Sequence, residues 1–88
     1  MKTALILYLD IFLKDSKLYI MKDETVQDII DIPYTDIPTK LAEQIFKTNI
    51  EKIFITSNIS NTFMEGYLKQ LKKDLKEKTN KEYEIAII

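Results

Sequence analysis

The sequence predicts one α/β domain spanning residues 1–88, with its elements in the order β-β-β-α-β-α-β. Three observations lead there. Residues 4–9, 18–21, 53–55 and 83–88 form short runs dominated by apolar side chains, of a length that suits strands. Two longer stretches, 37–46 and 62–78, repeat apolar residues at three- and four-residue intervals, as amphipathic helices do. With 45% hydrophobic and 31% charged residues, one Gly and two Pro, the composition is globular, and no repeat or linker divides the chain.

The elements follow in order. Residues 4–9 (Ala-Leu-Ile-Leu-Tyr-Leu) are apolar at every position, which fits a central strand covered on both faces. Lys14-Asp15-Ser16-Lys17 supplies turn chemistry, and 18–21 returns as the second strand of an antiparallel hairpin. After a second turn at Lys22-Asp23-Glu24-Thr25, residues 26–32 mix Val26, Ile30 and Ile32 with Gln27, Asp28 and Asp31, a pattern suited to an edge strand. Asp36 is placed to cap a helix whose first turn holds Pro38, and Ile37, Leu41, Ile45 and Phe46 give it an apolar face; Asn49 reads as a left-handed stop. Residues 53–55 form the fourth strand, followed by a polar loop over 56–61. Thr62-x-x-Glu65 is a capping-box pattern opening a second helix to about Lys78. Its stripe is Phe63, Met64, Tyr67, Leu68, Leu71 and Leu75, and Gly66 is expected to allow close helix–sheet packing. The last strand is residues 83–88.

Composition removes most chemistry. Cys and His are absent, which excludes disulfides, thiolate and imidazole metal sites, and Ser-His or Cys-His catalytic pairs. All thirteen cations are Lys, so the guanidinium fork that grips phosphates and guanine edges is missing. The net charge of −1 draws in neither nucleic acid nor anionic membrane. Asp10 interrupts the N-terminal apolar run and no small-x-small cleavage site follows, so the run reads as a strand rather than a signal peptide. No stretch reaches the length of a membrane span. The expectation is a soluble cytoplasmic protein with no cofactor, no resident metal and no membrane partner.

With Leu5-Ile6-Leu7-Tyr8-Leu9-Asp10 as its first strand and terminal acid, the element order over residues 3–88 resembles the core of the ribonuclease H-like superfold. That family includes nucleases, actin-like ATPases and a tRNA-modification scaffold. The resemblance implies a mixed sheet in the order 3-2-1-4-5; a ferredoxin-like split β-α-β arrangement is the alternative. In the nuclease branch, carboxylates at the ends of the first and fourth strands and on the first helix hold two Mg²⁺ ions. Asp10 and Glu43 match two of these places, but Thr56, Ser57 and Asn58 are neutral where the third acid belongs. The ATPase glycine loops and the scaffold's Gly-Pro-Gly loop are also absent. No catalytic residue is therefore assigned, and the expectation leans away from an enzyme.

Three surfaces remain. In an open α/β sheet, ligands gather beyond the carboxyl ends of the parallel strands. That places Asp10, Thr56, Ser57 and Asn58 with Ser60, Asn61 and Thr62 of the second helix in a crevice for a polar or anionic ligand. A basic face comprises Lys69, Lys72, Lys73 and Lys76, set against an acidic stretch over 23–36. The third surface follows from handedness. Right-handed crossovers in this strand order put both helices on one face, leaving the other bare. Strands one, four and five are apolar at both parities, so Ile6, Tyr8, Phe54, Ala86 and Ile88 are interface candidates, with the helix-facing parity left open. The leading expectation is a non-catalytic protein-interaction module, acting by self-association as a homodimer or by docking on a larger protein, in the manner of a phage or mobile-element inhibitor. The alternatives are a nucleic-acid-binding or -processing protein of ribonuclease H-like type, and a small-ligand binder.

Overall fold

The first strand alternates so regularly between buried and half-buried residues that its core-facing side can be assigned position by position. β1 (Thr3–Asp10) buries Thr3, Leu5, Leu7 and Leu9 and leaves Ala4, Ile6, Tyr8 and Asp10 partly open. The computed structural model describes residues 3–58 and 61–88, and for Asn61 the backbone only. β1 is followed by β2 (Asp15–Lys22), β3 (Thr25–Pro33), a short 3-10 turn (Tyr34–Asp36), α1 (Ile37–Lys47), β4 (Ile50–Ser57), α2 (Asn61–Thr79) and β5 (Ile85–Ile87). The chain is α/β, and its five strands lie in the order β3-β2-β1-β4-β5. β1 pairs antiparallel with β2 and parallel with β4, β2 antiparallel with β3, and β4 parallel with β5.

Both helices cover the same face. Ile37, Leu41 and Ala42 of α1 and Met64, Leu71 and Leu75 of α2 join Leu5, Leu7, Leu9, Leu18, Ile32, Ile53, Ile55 and Ile85 in one core. All the strand residues in it share a parity through the ladder registers Leu5↔Ile53, Leu7↔Leu18, Leu7↔Ile55 and Ile53↔Ile85. Two same-direction right-handed crossovers require this placement. The Cα radius of gyration, 12.1 Å, is what about 88 residues packed around one core should give.

Local chemistry corrects several expected boundaries. β2 begins at Asp15 rather than Leu18 because Ser16 is buried and its hydroxyl donates to the Ile32 carbonyl at 2.7 Å, so a polar residue continues the strand. The β1–β2 connection is therefore residues 11–14, with Lys14 at φ 52°. Asp36 holds the cap position of α1 without a side-chain cap hydrogen bond, the preceding 3-10 turn leading directly into the helix. α1 ends at Thr48, whose amide and hydroxyl both donate to the Gln44 carbonyl at 3.1 and 2.9 Å; Asn49 is not left-handed. The left-handed stop belongs instead to Asn80 after α2, at φ 60°. Phe46 lies off the α1 core stripe, 70% exposed. β4 runs through Ser57, and β5 is confined to three residues. Gly66 is exposed, and a Cβ there would meet nothing within 4 Å, so close packing is not its role.

Candidate functional site

Parallel pairing of β1 with β4 brings their carboxyl ends together, and the chemistry of that end is set by two side chains. Asn58 Nδ2 donates to Asp10 Oδ1 at 3.0 Å, and Asn58 Oδ1 accepts the Ile11 amide at 3.1 Å. The same Asp10 oxygen accepts the Leu13 amide at 3.1 Å, closing the β1–β2 turn. Asp10 and Asn58 thus meet as the topology requires, but they clamp the two strand ends and the turn to each other. Thr56 and Ser57 do not join them on one side. Thr56 is level with Tyr8 on the face away from the helices, and Ser57 is level with Leu9 on the core side. Ser60 and the side chain of Asn61 lie outside the described residues. Thr62 is already the second residue of α2, so it lacks the extended backbone of a capping residue, and the expected capping box does not form.

Behind this end, Tyr34 is held by the 3-10 turn. Burial pushes its phenol above the ordinary range, and Asp10 and then Asp15 add to the shift. Its hydroxyl oxygen is occluded and has no hydrogen-bond partner among the described residues. Tyr67 of α2 is raised more strongly, by burial first and then by Tyr34 and Asp74. Both phenols remain neutral at physiological pH. Among the described residues no group of three or more acids could hold a metal ion, and Glu43 pairs with Lys40 at 3.5 Å on the surface of α1.

Lys69, Lys72, Lys73 and Lys76 are all exposed on α2. Part of their charge is answered locally. Lys76 Nζ lies 2.9 Å from Glu82 Oε1, and this pairing holds the Glu82 carboxyl below the usual carboxylate range. A depression of about 690 Å³ beside β5 is lined by Lys52 and Lys72 together with Glu51, Glu82 and Glu84, so it carries charge of both signs.

The sheet face opposite the helices is of another kind. Register places Ile29, Tyr19, Ile6, Phe54 and Ala86 side by side, one from each strand, in a single row across all five. Neighbours in such a row stand about 5 Å apart on one face, within side-chain reach of each other. Ala4 and Met21 lie one row to one side; Tyr8 lies one row to the other, level with Lys17 and Asp31. Lys17 and Asp31 are paired at 2.9 Å, which raises the lysine pKa and leaves little net charge in that row. None of the five row residues belongs to the core beneath the helices or packs against it. Ile29 remains 51% exposed, and Ile88, whose amide donates to the Ile55 carbonyl at 2.9 Å just beyond β5, remains 61% exposed. The sequence singled out Ile6, Tyr8, Phe54, Ala86 and Ile88; it missed Tyr19, Met21 and Ile29, whose alternation with Leu18, Ile20 and Ile30 was the available signal.

Among the described residues no helix is long and apolar enough to cross a membrane. No protein-family model matches the chain, and no curated protein is significantly similar to it.

Proposed function

We propose that this chain is a non-catalytic interaction module that works through the helix-free face of its sheet. The observation that carries the reading is the row Ile29–Tyr19–Ile6–Phe54–Ala86, apolar from one sheet edge to the other and unused by the core. Contiguous apolar surface beyond a few hundred Å² is rare on monomers and normally marks an interface. The polar groups elsewhere support the same reading. Asp10 and Asn58 are spent on each other and on local amides, and the acids on the surface form no metal-holding group among the described residues.

On this reading the chain keeps the strand order of a ribonuclease H-like domain without the carboxylates or glycine loops that give that superfold its activities. It acts in the cytoplasm by binding protein, its own copy or a larger target, as inhibitors of phage or mobile-element origin do. Nucleic-acid binding through the Lys face is weak and electrostatic, since phosphate contacts alone position without specifying. The test is fluorescence of a hydrophobic dye with wild-type protein and with Phe54→Lys. Phe54 lies outside the core, so the variant folds; binding that the lysine abolishes supports the reading, and wild-type protein that binds neither dye nor partner overturns it.

A further inference from the structure

We propose that the occupant of this face is a second copy of the same chain, stacked sheet on sheet about a two-fold axis that crosses the strands at the level of Ile6. The inference rests on the reading of the face as an interface and adds its partner and geometry.

Two features of the surface define the arrangement. One row from Ile6 there is a depression of about 350 Å³, lined by the apolar Ala4, Ile6, Met21 and Phe54 and by the charged Asp23, Glu24, Glu51 and Lys52. Ala4, the smallest of these side chains, leaves the space. One row from Ile6 in the other direction stands Tyr8, the half-buried aromatic of the same strand. Ala4 and Tyr8 are each two residues from Ile6 on β1, so a two-fold axis at Ile6 running across the strands carries the Tyr8 of each copy over the Ala4 of the other. The same operation lays each member of the central row against its own counterpart, because that row lies along the axis. The knob and its seat are supplied twice, once by each copy.

Lys17 is level with Tyr8 on β2 and Met21 is level with Ala4, so the axis brings the paired Lys17 and Asp31 of one copy over Met21 and Val26 of the other, a row with little net charge. Like charges are not stacked in the central row, which is uncharged throughout. Strands spaced about 4.8 Å apart and rising about 3.3 Å per residue give this five-stranded face a projected area near 500 Å². Two such faces bury on the order of 1,000 Å², the low end of specific interfaces.

Sedimentation equilibrium at micromolar concentration tests the inference on wild-type protein, Tyr8→Ala, Ala4→Trp and Phe54→Lys, with circular dichroism confirming that each variant is folded. The expected result is a wild-type dimer whose dissociation constant rises at least tenfold in Tyr8→Ala and Ala4→Trp, and a monomeric Phe54→Lys. A dimer that Phe54→Lys dissociates but Ala4→Trp leaves unchanged overturns the seating of Tyr8 while keeping the face as the interface. A wild-type monomer whose dye binding is lost in Phe54→Lys overturns the second copy and leaves the face to another protein. A dimer that survives Phe54→Lys overturns both.

Discussion

Replacing Gly66 by Ala should stabilise the protein. Gly66 is the sixth residue of a nineteen-residue helix, it has no positive φ, and a Cβ placed on it meets no atom within 4 Å. The added methyl therefore costs nothing in the folded state. It removes the extra backbone freedom that glycine gives the unfolded chain, worth about 0.8–1.0 kcal/mol in a helix interior. For a domain of this size that is a rise of roughly 4–8 °C in Tm. The assay is urea unfolding followed by circular dichroism, at fixed protein concentration because association adds its own concentration-dependent stability. The midpoint should move up with the slope unchanged. A loss of stability would refute the reasoning, because it would mean that α2 approaches its neighbours at Gly66 too closely for a side chain.

Three further outcomes follow from local geometry. Asp23 and Glu24 form a two-residue hairpin turn with φ of 49° and 68°, a conformation that costs a non-glycine residue about 1–2 kcal/mol. Glu24→Gly should recover about 1 kcal/mol in thermal unfolding, and an unchanged or lower Tm would contradict the assigned turn. Tyr34→Phe removes a buried hydroxyl that has no partner among the described residues, so stability should rise by about 1 kcal/mol; a fall of that size would reveal a hydrogen bond to that hydroxyl. Lys76 lowers the folded-state pKa of Glu82, so the pair's small contribution is present above the unfolded glutamate pKa and is lost as pH falls through the folded one. Carboxyl chemical shifts should show Glu82 titrating below the ordinary glutamate range, and Lys76→Ala should return it to that range.

The order of elements was legible because each strand and helix announces itself by period, and the β-β-β-α-β-α-β order with right-handed crossovers leaves few arrangements. The helix-facing parity was not, because Leu5, Leu7 and Leu9 are matched by Ile6 and Tyr8 on the other side, and hydrophobicity alone cannot rank two apolar faces. Strand ends failed where polar residues stay in the ladder: Ser16 hides the start of β2 by satisfying its hydroxyl inside the sheet. Gly66 misled for a related reason, since a glycine in a helix looks the same in sequence whether or not a neighbour fills the space. The meeting of Asp10 with Asn58 followed from parallel pairing of β1 and β4, but that they would spend their hydrogen bonds on each other and the adjoining turn depends on distances no spacing rule contains. The sheet row emerged only once register was fixed, since Tyr19 and Ile29 are far from Ile6 in sequence and adjacent only through two antiparallel ladders.

The claim that the helix-free sheet face is the functional surface is tested most directly by backbone and side-chain NMR shifts over a dilution series from millimolar to micromolar protein. The account predicts concentration-dependent shifts centred on Tyr8, Ile6, Tyr19, Phe54 and Ala86, with α1 and α2 unmoved. Shifts confined to the helices, or none at all in a protein whose exposed face binds no hydrophobic dye, would contradict it.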